Sequence, residues 1–463
     1  MKSSASLHAL MLATTLMSIS PVLRADSTGK PNKKDNKKGQ TGQTTIQETP
    51  VDLSQPLSLD KAIRIALEHQ NTLGIAKSQV ESARAGITRA QAQYYPSVSP
   101  SYSYSSSLTS QRFNGQQQTG TVESSVTQIG ASMLLFDMGK REQNVALSRA
   151  SAQAAQFNVL DTRQGIIENV AVAYYELKRR KELVRVSDAS VERASKTLEA
   201  VTESEKAGAA PKKDVLQAQA DYENAKVQQL QANNDVRIGQ TQLKNAMGIL
   251  SNQPVLVEEE PLPPPPSTPD TKTTTDYLQM AFNNRPDLKR DTANINANRR
   301  NVNIANINAG FQVQATIDEG YRVDPSPGEN RTFGTTFSYP LFDAGAARAA
   351  VRQSKANLEQ SRLQLDLERQ QIQLTVEQAW LTREEARASI GATQSALAAA
   401  RNNYDAAETA YREGAGTILD VVTAQAQLVT AETNAVQSIY NFYTSDAQLK
   451  RAIGVNDTYP GGK

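Results

Sequence analysis

Residues 134–140 read LLFDMGK and residues 340–346 read PLFDAGA, so Leu-Phe-Asp-x-Gly is spelled twice, 206 positions apart. The same offset pairs KAGAAPKKDVLQAQ from Lys206 with REGAGTILDVVTAQ from Arg412, and QLKNAMG from Gln242 with QLKRAIG from Gln448. Between these anchors Ile166, Val170 and Ala173, spaced four and then three, are answered by Ile372, Val376 and Ala379, and Tyr174 by Trp380. Composition alone does not hold an insertion-free register over such a length. The chain is therefore an internal duplication built on narrow helical seams.

Helix geometry turns the register into lengths. The Pro-free helical pattern between Gly139 and Gly208 spans roughly 100 Å at 1.5 Å per residue. The return segment from Asp214 to Gly248 and the leading segment from Leu59 to Tyr95 each cover only about half of that. The second half repeats the plan with Asp276 to Asn308, Ala344 to Arg412 and Asp420 to Gly454. Short helices stacked end to end beside long ones make a bundle much longer than a globular domain.

Between each leading helix and its long partner the period changes to two. FQVQATIDEGY from Phe311 sets Phe311, Val313, Ala315 and Ile317 against Gln312, Gln314, Thr316 and Asp318, and TFGTTFSYPLF from Thr332 alternates in the same way. In the first half PSVSPSYSYSSS from Pro96 and QIGASMLLF from Gln128 do so more weakly. Apolar-out, polar-in alternation with aromatic ends is the pattern of transmembrane barrel strands; a solvent-exposed hairpin capping the bundle is the alternative reading. Four strands do not close a barrel, and open edges are not tolerated in hydrocarbon, so the strands belong to an oligomer.

The chain has 463 residues, 5% aromatics, 50 Lys+Arg against 48 Asp+Glu and no Cys, with a mean hydropathy of -0.52. The near-neutral balance and the lack of a long basic patch argue against nucleic acid as a partner. Cys-based disulfides, nucleophiles, metal sites and lipid anchors are excluded. His69 is the only His beyond the leader, no nucleophile constellation or metal-ligand cluster is apparent, and GAGT is not a phosphate-binding loop. The expectation is no enzyme, no cofactor and no metal. The opening MKSSASLHALMLATTLMSIS reads as an export signal, cleaved near Ala25, and no later run reaches the length of a membrane helix.

The organisation expected is a signal peptide at 1–25, a flexible polar segment at 26–55, a first repeat at 56–250, a Pro-rich linker at 251–274, a second repeat at 275–455 and a tail at 456–463. The linker reads as a belt around the helices where the short ones meet, with a ligand for a peptide-recognition module as the lesser reading.

LSLDKAIRIALEHQ, AFNNRPDLKR, the twin LFD-x-G and the twin G-x(5)-D-V turns, in order over Leu57 to Val455, resemble the TolC-type outer-membrane efflux proteins. The resemblance implies a mainly α fold with membrane β: duplicated long helical hairpins forming a periplasmic α-helical tunnel, plus four strands per chain in a trimeric twelve-stranded outer-membrane β-barrel. It implies a passive outer-membrane channel of a tripartite efflux or type I secretion system. Its partners would be a periplasmic adaptor (membrane fusion) protein, an inner-membrane RND or ABC transporter and outer-membrane lipid. A non-channel periplasmic coiled-coil structural or adaptor protein is the alternative, although an adaptor would carry one hairpin rather than two. One departure is NAGFQVQ, where a Pro usually precedes the strand, as Pro96 does in the first half.

Each LFD-x-G is expected where a strand turns into a long helix. Phe136 and Phe342 face lipid or packing, Asp137 and Asp343 accept from free helix N–H groups, and Gly139 and Gly345 ease the bend. At the far end Gly208, Ala209, Ala210 and Pro211, with Gly414 and Gly416, form the tips that the resemblance assigns to adaptor docking. By matching position Asp214 and Tyr411 would link the helices of a closed gate and Asp420 would ring the pore. Where the family carries an Arg and a second ring Asp, this chain has Gly416 and Thr423, and both Asp214 and Asp420 also read as plain helix caps.

Overall fold

The computed structural model describes residues 55–455 except 114, 260–261, 263–264, 266–270, 309 and 324–325. The expected signal peptide, all but the last residue of the polar segment and the tail after Val455 lie outside the described residues. So does much of the Pro-rich run, although Val255 and Val257 beside it are buried and Leu57 N–H donates to the Leu256 carbonyl at 2.8 Å. Leu57, just ahead of the first helix, thus bridges in parallel to Val257, and Glu258 N–H donates back to the Leu57 carbonyl at 3.2 Å.

The first repeat runs α1 (Leu59–His69), α2 (Asn71–Ala92), β1 (Ser97–Phe113), β2 (Gln116–Phe136), α3 (Lys140–Lys206) and α4 (Lys212–Met247). The second runs α5 (Thr274–Asn284), α6 (Pro286–Ile307), β3 (Gln312–Arg322), β4 (Gly328–Ser338), α7 (Ala346–Arg412) and α8 (Ile418–Ala452). Both long helices, α3 and α7, have 67 residues, about 100 Å each. Among the described residues no helix is long and apolar enough to cross a membrane.

The leading helices differ from their expected continuous form. Gln70 and Arg285 are both extended, at φ/ψ of -71/114 and -60/126, and split each leader in two. In the second repeat Pro286 enforces the break, because the residue before a proline avoids helical dihedrals. The first repeat has Asn71 there, so tertiary contact decides: Gln70 Nε2 donates to the Ala246 carbonyl at 3.2 Å, as Arg285 Nη1 donates to that of Ala452 at 3.1 Å. Each break thus clamps the end of its own return helix. Leu59 and Asn71 answer Thr274 and Pro286 at an offset of 215, whereas α3 and α4 answer α7 and α8 at 206. The difference arises because the stretch from Gln93 to Gly139 is nine residues longer than that from Asn308 to Gly345.

Gly248, at φ +74, ends α4 against this clamp, and a Cβ there would lie 2.9 Å from Gln70 Cα and 3.0 Å from the His69 carbonyl oxygen. Both neighbours are backbone and cannot swing aside. Gly248→Ala is expected to cost roughly 2–4 kcal/mol, from the left-handed conformation and overpacking together. A lowered urea midpoint in the helical circular dichroism signal measures it, and an unchanged midpoint would refute the clamp.

The strands form one antiparallel sheet in the order β1-β2-β3-β4. Its register aligns Val98, Ala131, Ile317 and Phe333 in one row across all four strands. Ser99, Gly130, Asp318 and Thr332 form a row on the opposite face. The apolar face is exposed at Val98, Tyr102, Ile129, Ile317, Phe333 and Phe337. Further along, Arg331 Nη2 pairs with Glu319 at 2.9 Å, marking the polar margin of the band. The first hairpin is longer than expected: its pairing continues from Ser103–Val126 to Phe113–Gln116, beyond the last β2–β3 pair, Val126–Arg322. Gly115, at φ +81, stands in the left-handed region where this hairpin turns back. β4 instead stops at Ser338, short of Pro340, which has no N–H to donate.

The helices lie side by side. α3 packs between α2 and α4 on one flank and α6 and α8 on the other, α4 also touches α8, and α7 packs against α5, α6 and α8. The cores are thin, as the composition requires: Ile372, Val376, Tyr277, Leu288 and Leu449 form one cluster, and Val201, Ala218, Tyr404, Ile418, Val421 and Leu428 another near the tips.

Candidate functional site

At the first strand-to-helix junction Met138 and Gly139 are both left-handed, at φ 55 and 86, and at the second Ala344 and Gly345 repeat this at 54 and 86. The tight turn aims each aspartate at the new helix. Asp137 accepts from Gly139 N–H at 3.2 Å and Arg141 N–H at 2.9 Å, and Asp343 accepts from Gly345 at 2.9 Å and Ala347 at 2.7 Å. These backbone donors hold the Asp343 carboxyl below its ordinary range.

The two copies differ in what surrounds them. A bulge between Leu134 and Phe136 interrupts β2, and Arg141 donates to the freed carbonyls of Leu134 at 2.8 Å and Leu135 at 3.2 Å. Its Nε also reaches Asp137 at 3.1 Å, and its guanidinium lies 4.9 Å from the Tyr94 ring centroid. Phe136 packs on Phe311, which stacks on Phe337. The second copy has Ala347 in place of Arg141, and Leu341 and Phe342 are about nine-tenths exposed. No sequence signal singled out Arg141, because its partners are carbonyls released by a bulge.

The tips are superimposable in their bonding. Gly208 and Gly414 are left-handed at φ 75 and 74. Ala209 and Ala210 both donate to Ser204, and Ala415 and Gly416 both donate to Ala410. Pro211 then caps α4, while Thr417 caps α8 in a reciprocal box: Asp420 accepts from Thr417 N–H at 2.9 Å and from its hydroxyl at 2.7 Å. The hydroxyl and backbone bonds hold the Asp420 carboxyl low, so it stays ionised, and it is exposed, as is Thr423 one turn on. Asp214 sits in the first turn of α4 and faces Tyr411 from the other repeat. Burial, and then the Asp214 charge, raise the Tyr411 phenol above its ordinary value.

Sequence reading also missed a buried polar link between the repeats nearer the middle of the hairpins. Gln425, on α8 and 2% exposed, donates through Nε2 to Asp221 on α4 at 3.1 Å. The two are 204 residues apart, and nothing in either stretch marks them as partners. Burial raises the Asp221 pKa above 3.8. An acid raised on folding favours the protonated native state, so its contribution is most favourable at low pH and is lost as pH rises from 3.8 through the folded value. Asp221→Asn is expected to gain stability over the parent at pH 7 but not at pH 3.5, as read from urea midpoints. Equal differences at both pH values would refute the burial argument.

Among the described residues no group of three His, Cys, Asp or Glu side chains is placed to hold a metal. A family model for outer membrane efflux proteins matches residues 62–249 and 277–455, that is, both repeats. The chain belongs to the outer membrane efflux protein family. Protein CyaE of Bordetella pertussis is 26% identical over 315 residues, 66% of this chain and 65% of that protein, so the match spans just under two thirds of that relative. The outer-membrane channel OprN superposes with a TM-score of 0.72 at 17% identity, over 86% of this chain and 89% of that one. The Campylobacter jejuni CmeC outer membrane channel does so with a TM-score of 0.74 at 18% identity, over 86% of each chain. This outer membrane efflux protein therefore has the fold of outer-membrane channels and resides in the outer membrane, and the non-channel coiled-coil alternative is not favoured. The row Val98, Ala131, Ile317 and Phe333 lies on the apolar face of its sheet, exposed at Val98, Ile317 and Phe333.

Proposed function

We propose that three copies close into one passive exit duct for efflux or secretion, with a twelve-stranded barrel in the outer membrane and a helical tunnel in the periplasm. The observation that carries this reading is the pair of coincident free edges. Among the described strands β1 and β4 are unpaired on their outer sides, and α2 on one flank and α7 on the other are the outermost helices in the same order. An edge of one kind meeting the other kind on the next copy generates a closed ring. Two copies would give eight strands, a barrel filled by its own side chains, whereas three leave an aqueous lumen.

The duct draws its energy from elsewhere, through an adaptor and an inner-membrane RND or ABC transporter. The tips, Gly208, Ala209, Ala210, Pro211, Gly414 and Gly416, are the docking ends, and Asp214, Tyr411, Asp420 and Thr423 line the closure. The strand-to-helix junctions at Phe136, Asp137, Gly139, Phe342, Asp343 and Gly345 set the angle between barrel and tunnel. Purified protein is expected to be trimeric in detergent and to give discrete conductance steps in planar bilayers; a membrane-inserted monomer without conductance would overturn the duct. Ala210→Asp, which puts a charge into the tip contact, is expected to impair export and adaptor cross-linking while the barrel still assembles. Normal export with unchanged cross-linking would remove the tips from docking.

A further inference from the structure

The duplication contains a template for the contact between copies. Within the chain, the flank of α3 that faces α6 and α8 presents Asp161, Glu168 and Tyr175. Asp161 meets Arg451 at 2.6 Å and Arg290 at 3.9 Å, Glu168 lies 3.9 Å from Arg451, and Tyr175 packs on Tyr443 with ring centroids 5.3 Å apart. The 206 offset carries these three positions to Leu367, Leu374 and Leu381 on the free flank of α7, exposed to 65%, 48% and 53%. The same transfer carries Arg290 to Ile75 on α2, through the 215 offset, and Arg451 to Asn245 on α4. Ile75 is 59% exposed and lines an open groove on α2 with Gly74, Ser78 and Ser82. Ser78 and Ser82 correspond to Ala293 and Ala297 on α6, which are buried because α6 has helices on both sides.

We infer that Leu367 of one copy seats in the Ile75 groove of the next, so that an apolar contact joins copies where an ion pair joins the two repeats within a chain. The inference rests on the ring reading above and assigns its seam. It also supplies a reason for the difference between the halves. α3 and α7 have nearly the same shape, so a chain could accept the wrong flank of a neighbour. Setting Leu367 against Arg290, or Asp161 against Ile75, would strand a charge on an apolar surface, and that penalty orders the repeats alternately around the ring. The seam between copies is accordingly the one insensitive to salt.

The absence of Cys makes the test clean. Ile75→Cys and Leu367→Cys in one chain, treated with a short bifunctional maleimide in membranes, are expected to give covalent species up to three copies on denaturing gels. Either single variant is expected to give none. Reaction within a chain is ruled out by position, since α2 and α7 are on opposite flanks. Leu367→Asp alone is expected to lower the assembled fraction at least tenfold, and adding Ile75→Arg is expected to restore it by recreating the ion pair across the seam. Intact conductance without cross-links, or no rescue by the double variant, overturns the pairing and leaves the duct standing. Cross-linked copies without conductance uphold the pairing and overturn the duct.

Discussion

Arg141→Ala is expected to destabilise the first barrel-to-tunnel junction by about 3–5 kcal/mol, the range for removing one partner of a buried ion pair. Two costs combine. Asp137, 3% exposed, keeps its backbone donors but loses the guanidinium, and the carbonyls of Leu134 and Leu135 lose the donor that replaced the strand ladder at the bulge. Arg141→Lys is expected to recover only part of this, because an ammonium does not reach a carboxylate and two carbonyls in one plane. The corresponding change at the second junction, Ala347→Gly, removes no polar contact and is expected to have a far smaller effect. Thermal melting of the assembled protein, with protease cutting near residues 134–141 as a local probe, separates the two. Equal sensitivity of the twin junctions would refute the clamp.

That contrast also marks how far the sequence could be read. LFD-x-G announced two strand-to-helix junctions and the roles of Asp137, Asp343, Gly139 and Gly345, because a side-chain cap and a positive φ are local properties written within five residues. The duplication was legible for the same reason: a register is conserved by packing along one helix. Arg141 was not, since its partners exist only after β2 bulges, and the break at Gln70 was not, since no local signal stands there and the end of α4 enforces it. Asp221 and Gln425 come together only when the two hairpins dock. The tips show both cases at once. Gly208 and Gly414 were evident as turns, while the cap of α8 moved from Asp420 to Thr417, with Asp420 as the third residue of a capping box. Sequence alone could not decide whether that carboxylate was consumed by the helix or left facing out.

The box leaves Asp420 exposed and ionised, and this is what makes Asp420→Asn the decisive test of the proposed closure. Thr417 holds one carboxylate oxygen, so an amide oxygen at that place preserves the bonds and the helix start while removing the charge. In the proposed ring three such carboxylates surround the narrowing tunnel and favour cations over anions. Thr423 supplies no second charged ring, so in the proposed closure Asp420 carries the ring charge. The variant is therefore expected to lose most of its cation preference at about 0.01 M salt, where screening reaches about 30 Å, and to differ little from the parent at 1 M, where it reaches about 3 Å. Reversal potentials in planar bilayers under a salt gradient give the answer. Tyr411→Phe is expected to raise opening frequency modestly without altering selectivity, because it removes only a half-buried phenol hydroxyl near the Asp214 charge and leaves Asp420 in place. A parent-like reversal potential for Asp420→Asn at low salt would reduce Asp420 to its part in the Thr417 box, with closure held by Val201, Ala218, Tyr404, Ile418, Val421 and Leu428 packing across the four tip helices.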